Sequence, residues 1–141
     1  MMGLLTRGIR DKRLTFELAC KKGSLARART KVLRFAERNG FSMEAEDVAL
    51  ATQEALKNII QHACPVDGVM RLACSTDGDA MVVEVSDRGE GFDVEAVESE
   101  PSPLMAVHGR GLKLIRGLMD DVSINSDRGG TLVRMEKRHG G

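Results

Sequence analysis

The chain is predicted to fold as an α+β two-layer sandwich, a mixed, mostly antiparallel sheet with helices on one face. Three observations lead there. Segments 69–76 and 80–86 read as strands joined through Asp77-Gly78, a strong hairpin signal. Segments 121–126 and 131–137 flank a second glycine turn, Asp127-Arg128-Gly129-Gly130. Two stretches of helical period lie between the first strand and the first hairpin. Hairpins therefore dominate the sheet. With 141 residues, 42% of them hydrophobic, the chain is long enough for one compact core. A domain of this size buries roughly 68–70% of its unfolded surface.

In chain order, residues 1–12 read as a loose leader. Arg13 to Ala19 alternates Leu14, Phe16 and Leu18 against Thr15 and Glu17, a half-buried strand. Lys22-Gly23-Ser24 breaks it, with Ser24 placed to cap a helix that carries Leu25, Ala28, Val32, Phe35 and Ala36 on one stripe. Asn39-Gly40 ends that helix. Ser42 is placed to cap a second one, whose first turn holds Glu44, Glu46 and Asp47 at the positive end of the dipole. It runs to about His62 and stops before Pro65. Met70, Leu72 and Cys74 face one way in the next strand. Residues 92–108, rich in acidic residues and breakers, are long for a connection and read as a lid. Gly111 to Met119 is a short helix, and residues 139–141 form a tail.

Composition removes several functions. Twenty-one basic residues balance twenty-one acidic ones, so bulk charge does not hold this chain to nucleic acid or anionic lipid. No apolar run reaches the ~20 residues of a membrane span, and the start lacks a secretory core. The expectation is a soluble cytoplasmic domain, with no direct nucleic-acid or membrane partner. Three cysteines without CxxC spacing suggest neither a disulfide frame nor zinc. Without Trp or Tyr, stacking on bases has little to work with.

Four constellations carry chemistry. Glu54 and Asn58, spaced i, i+4, share one face of a helix otherwise rich in Leu50, Ala51, Ala55, Leu56, Ile59 and Ile60. Burying a carboxylate and a carboxamide there is expensive unless they are paired or face a pocket. Taken alone, the pair reads more readily as part of a solvated stripe with Gln53, Lys57 and Gln61. Asp87-Arg88-Gly89-Glu90-Gly91 follows a strand, where Gly89 and Gly91 would let backbone approach a ligand. An ordinary Asp/Gly turn explains it equally well. Gly109-Arg110-Gly111-Leu112 opens a helix, offering free N–H groups to phosphate, or else a lid hinge. Neither the Walker A nor the Rossmann pattern fits. Gly129-Gly130-Thr131, taken alone, is a hairpin turn.

Together and in this order, the four motifs resemble the GHKL ATP-binding (Bergerat) fold. The likeness is closest to its small single-domain branch, the anti-sigma factor serine-protein kinases. Gln53-Glu-Ala-Leu-Lys-Asn-Ile-Ile-Gln-His-Ala63 and Gly109-Arg-Gly-Leu-Lys-Leu-Ile-Arg-Gly-Leu-Met-Asp120 carry it, and it spans about residues 13–138. The resemblance implies ATP and Mg²⁺ as cofactors. It implies Asn58 as metal ligand, Glu54 as catalytic base and Asp87 as reader of the adenine amine. Gly89 and Gly91 would pass close to the base, and Gly109, Arg110, Gly111 and Leu112 would wrap the phosphates. Thr131 would add a hydroxyl near the base. His62 reads more simply as a helix C-terminal cap, and His108 and His139 receive no role.

The implied function is an ATP-dependent serine/threonine-protein kinase that phosphorylates a STAS-type anti-anti-sigma protein and sequesters a sigma factor, as a homodimer. The alternative is a non-catalytic module that binds ATP and regulates a partner. Glu54 favours the kinase, because a nucleotide-gated clamp needs no base. A kinase domain detached from a two-component histidine kinase fits less well, since the phosphoacceptor helix is missing.

Overall fold

In the computed structural model, the described residues are 13–62, 67–88, 112–127 and 129–140. They form β1 (Arg13–Ala19), α1 (Ser24–Arg38), α2 (Ala45–His62), β2 (Val69–Asp77), β3 (Ala80–Asp87), a short helix α3 (112–118), β4 (Asp121–Asp127) and β5 (Gly130–Arg138). The sheet runs β1-β2-β3-β5-β4, and each of these pairings is antiparallel. The expected sandwich is present. No helix among the described residues is long and apolar enough to cross a membrane.

Strand parity sorts the residues. Leu72 pairs with Val85 and Val85 with Val133, while Cys74 pairs with Val83 and Val83 with Met135. All six are buried and form one cluster with Val32, Phe35, Leu56 and Ile59 of the helices. The apolar side of the sheet is therefore the side the helices cover. The core has few rings, and unbranched Met70, Met81 and Met135 fill it instead. Leu112 and Ile115 of α3 are fully buried in the same cluster.

Both expected serine caps are absent. Gly23 takes the N-cap position of α1, and Ser24 is already helical, its hydroxyl donating to the Ala19 carbonyl at 2.6 Å. The tight β1–α1 turn brings that carbonyl within reach, so the hydroxyl closes the turn rather than the helix. The α2 helix begins three residues after Ser42, at Ala45, and the Val48 N–H donates to the Glu44 carbonyl. The acidic first turn of Glu46 and Asp47 is as expected. The end of α1 also matches: Gly40 adopts φ +85°, and the Phe41 N–H returns to the Ala36 carbonyl at 2.8 Å. The β2–β3 turn places Gly78 at φ +61°.

Candidate functional site

β2 begins at Val69, which marks one end of the sheet. Met70 pairs with Asp87, so the last residue of β3 stands at that same end of the sheet. Asp87 pairs in turn with Thr131, and Thr131 with Ser126. Topology thus gathers polar residues of β3, β4 and β5 at one end. Asp87 lies far along the chain from Ser126 and Thr131 but shares this rim with them.

Asn58 is only 5% exposed, and its Nδ2 is buried with no hydrogen-bond partner among the described residues. That corrects the solvated-stripe reading for this residue. An unpartnered buried amide donor costs about 1–3 kcal/mol, a penalty that a hydrogen-bond acceptor would relieve. Glu54, about 6 Å earlier along the helix by its rise per residue, keeps its side chain 18% exposed. The Lys57 ammonium lies 3.3 Å from its carboxylate and holds it on the helix surface. The helix is less buried than expected at Leu50, which is 36% exposed.

Asp87 is 7% exposed and lies on the helix-covered side of the sheet, by its pairing with Met70 and Thr131. Thr131 is buried and its hydroxyl is 2.8 Å from that of Ser126. An open depression of about 380 Å³ at this end is lined by Ser86, Asp87, Asn125, Gly129, Gly130, Thr131 and Leu132. Gly130 has φ +132°, and a Cβ built on it would stand 2.0 Å from the Asp87 carbonyl oxygen. Only glycine permits that approach.

Gly89, Gly91, Gly109, Arg110 and Gly111, with the expected lid at 92–108, lie outside the described residues. Leu112 is described and is a core residue, fully buried. The far end of α3 is pinned: the Lys137 ammonium donates to the Leu118 carbonyl at 2.7 Å, and the Asp120 N–H to the Glu136 carbonyl at 2.9 Å. His62 ends α2, as expected of a basic residue in the last turn. Cys74 behaves as a small core residue, and burial pushes its thiol up to about 12.

Residues 18–137 match the family model described as histidine kinase-like ATPase domain. The chain belongs to that family. It is 35% identical over 132 residues to the serine-protein kinase RsbW of Listeria innocua, covering 86% of this chain and 84% of the relative. The RsbW protein of Bacillus cereus strain AH187 is 31% identical, covering 88% and 84%. Among solved structures, the RsbU and RsbW domains of Rv1364c from Mycobacterium tuberculosis align over 91% of this chain. The TM-score is 0.69 at 19% identity, and the match spans about a third (32%) of that chain. The histidine kinase domain from Erythrobacter litoralis EL346 aligns over 86% of this chain and 61% of its own, with a TM-score of 0.53 at 17% identity. At these identities the two structures speak for the fold alone.

Sequence reasoning missed one contributor to the rim, Ser126, and the reason that another, Gly130, must be glycine. Gly130 was a plain turn residue until the β3–β5 register set it against the Asp87 backbone. Ser126 carried no motif, and only its position opposite Thr131 makes it part of the site. In both cases the signal was strand register.

The residues present fit a nucleotide with a divalent ion. Among the described residues no cluster of three or more His, Cys, Asp or Glu side chains forms a metal cage. Mg²⁺ bound with a nucleotide takes few protein ligands and relies on phosphate oxygens and water. The Asn58 amide oxygen is the atom that would ligate it, the buried Nδ2 would donate to an oxygen acceptor, and Asp87 offers a buried carboxylate for an amine donor.

Proposed function

We propose that the chain is an ATP-dependent serine/threonine-protein kinase and anti-sigma factor. Its substrate would be a STAS-type antagonist protein, and its second partner a sigma factor. The observation that carries this reading is Asn58, whose buried Nδ2 has no partner among the described residues, on an apolar helix one turn from a carboxylate. Relatives named serine-protein kinase RsbW, matched over 84% of their length, support it. A homodimer and a cytoplasmic setting belong to the same proposal, as does residues 13–138 forming the one ATP-binding domain.

The chain's own groups divide the work. Asp87 would accept a hydrogen bond from the adenine amine, a position where guanine presents an oxygen and is repelled. Gly130, lacking a side chain, keeps the Asp87 main chain where the register sets it. Thr131 and Ser126 hold each other's hydroxyls beside that carboxylate. The Asn58 amide oxygen would hold Mg²⁺, which when bound neutralises charge on the phosphates during transfer. Glu54 would take the proton of the attacking serine or threonine hydroxyl, with Lys57 keeping its carboxylate in place. Gly89, Gly91, Gly109, Arg110 and Gly111 would enclose the base and phosphates, while Leu112 anchors α3 in the core.

Incubating the pure protein with radiolabelled ATP, Mg²⁺ and each STAS protein of the same genome tests this function. Label should appear on one of them, at serine or threonine. Tight ATP binding without transfer to any of them would favour the non-catalytic module.

A further inference from the structure

Lysine is costly to bury, yet Lys137 of β5 is only 5% exposed. Its partner in β3, Met81, is fully buried in the core cluster. Lys137 stands six residues from Thr131, about 20 Å along the strand. That is too far to touch a ligand at the nucleotide rim. Its ammonium donates instead to the Leu118 carbonyl at 2.7 Å, in the last turn of α3. The Asp47 carboxylate, half exposed at the start of α2, lies 3.7 Å away, an ion pair weakened by water. Two further bonds fix the same end of α3. The Asp120 N–H reaches the Glu136 carbonyl at 2.9 Å, and the Asp120 carboxylate accepts from the Arg138 N–H at 2.6 Å. An apolar residue at 137 would fill this space without the cost of a buried charge. It would not cap the carbonyl end of α3, where the helix dipole favours a cation.

We infer that Lys137 is a positioning residue for the phosphates of the bound nucleotide, acting through α3. The inference rests on the proposed nucleotide site and adds a distant residue to it. α3 spans 112–118, about 10 Å by its rise per residue. Leu112 and Ile115 seat it in the core, and Lys137 fixes how far along its axis it sits. Gly109-Arg110-Gly111, the stretch proposed to enclose phosphate, directly precedes Leu112 in the sequence. A helix of two turns moves as a unit, so a shift at Leu118 is carried to Leu112. Asp87 and Thr131 are held by the β3–β5 ladder, so contacts with the base do not follow that shift. Lys137 therefore sets affinity for the phosphates and leaves affinity for the base alone. Coupling between two sites is mutual, so phosphates must in turn tighten the pinned end of α3.

The test compares two probes, ATP with Mg²⁺ and adenosine, which carries the base without phosphates. Affinities are read by calorimetry and NMR titration. Lys137→Met keeps the length of the side chain and removes its charge. ATP affinity should fall about tenfold or more, within the usual range of coupling between sites. Adenosine affinity should change less than about twofold, as for independent sites. Lys137→Arg, which retains a cation and donors, should bind ATP more tightly than Lys137→Met does. Asp47→Asn removes only the ion pair and should leave both affinities unchanged. In the unaltered protein, ATP but not adenosine should slow amide exchange at Met119 and Asp120, which decides the matter even if Lys137→Met does not fold. Three results would each overturn the role of Lys137: equal weakening of ATP and adenosine in Lys137→Met, no weakening of either, or equal protection of Met119 and Asp120 by the two probes. An unaltered protein that binds no ATP would overturn the proposed function itself, and this role with it.

Discussion

Gly130 lies so close to Asp87 that a Cβ on the glycine would stand 2.0 Å from the aspartate's carbonyl oxygen. The turn of the second hairpin is thereby tied to the residue that begins the Asp-x-Gly-x-Gly motif. A methyl group cannot fit without moving the backbone of Asp87 or of Arg88, whose Cα would be 3.0 Å away. The glycine's φ of +132° adds its own penalty for any side chain. Gly130→Ala is therefore expected to weaken ATP binding at least tenfold and to lower stability by about 1–3 kcal/mol. Gly78→Ala is the control, with positive φ but open space around it. It should lose stability and keep ATP affinity. Calorimetry and denaturant unfolding on both variants check this pair.

Asp87→Asn is expected to weaken ATP binding by about 1–3 kcal/mol, through loss of a buried charged acceptor. GTP should bind poorly to the unaltered protein. Equal affinity for ATP and GTP, measured by competition, would remove Asp87 from the base.

How much of this was legible in the residues depends on what each one answers to. Local pattern was enough for the elements: the alternation of Leu14, Phe16 and Leu18, the Asp77-Gly78 turn and the Asn39-Gly40 stop appear where expected. Caps were not legible, because Ser24 and Ser42 had competing uses that only the path of the chain decides. Asn58 looked like part of a polar stripe, and its burial follows from packing that i, i+4 spacing does not report. Gly130 and Ser126 depend on strand register, a long-range property.

Removing the Asn58 amide separates binding from folding. Asn58→Ala deletes a buried group with an unpartnered donor, so the fold without nucleotide should lose no more than about 1 kcal/mol. The rise in Tm that Mg²⁺ and ATP give the unaltered protein should disappear. A variant that keeps that rise would free Asn58 from the metal site.

Cys74 supplies a pH test of the core. Burial pushes its thiol from 9.0 up to about 12, so between those values the folded state holds a proton that the unfolded state releases. Stability should therefore fall as pH rises from about 9 towards 12. Cys74→Ala should flatten that part of the curve, once its own cavity cost is subtracted. In the native protein at pH 8, Cys74 should resist alkylation and react only on unfolding.

The proposed phosphoryl transfer is tested most directly by single-turnover kinetics of the unaltered protein and Glu54→Gln, with saturating Mg²⁺–ATP and the STAS substrate. Glutamine is nearly isosteric and leaves Asn58 in place, so nucleotide binding should be preserved. The transfer rate should fall about 10²–10⁴-fold, the usual contribution of a positioned general base. Undiminished transfer in Glu54→Gln, with ATP binding intact, would contradict the role assigned to Glu54.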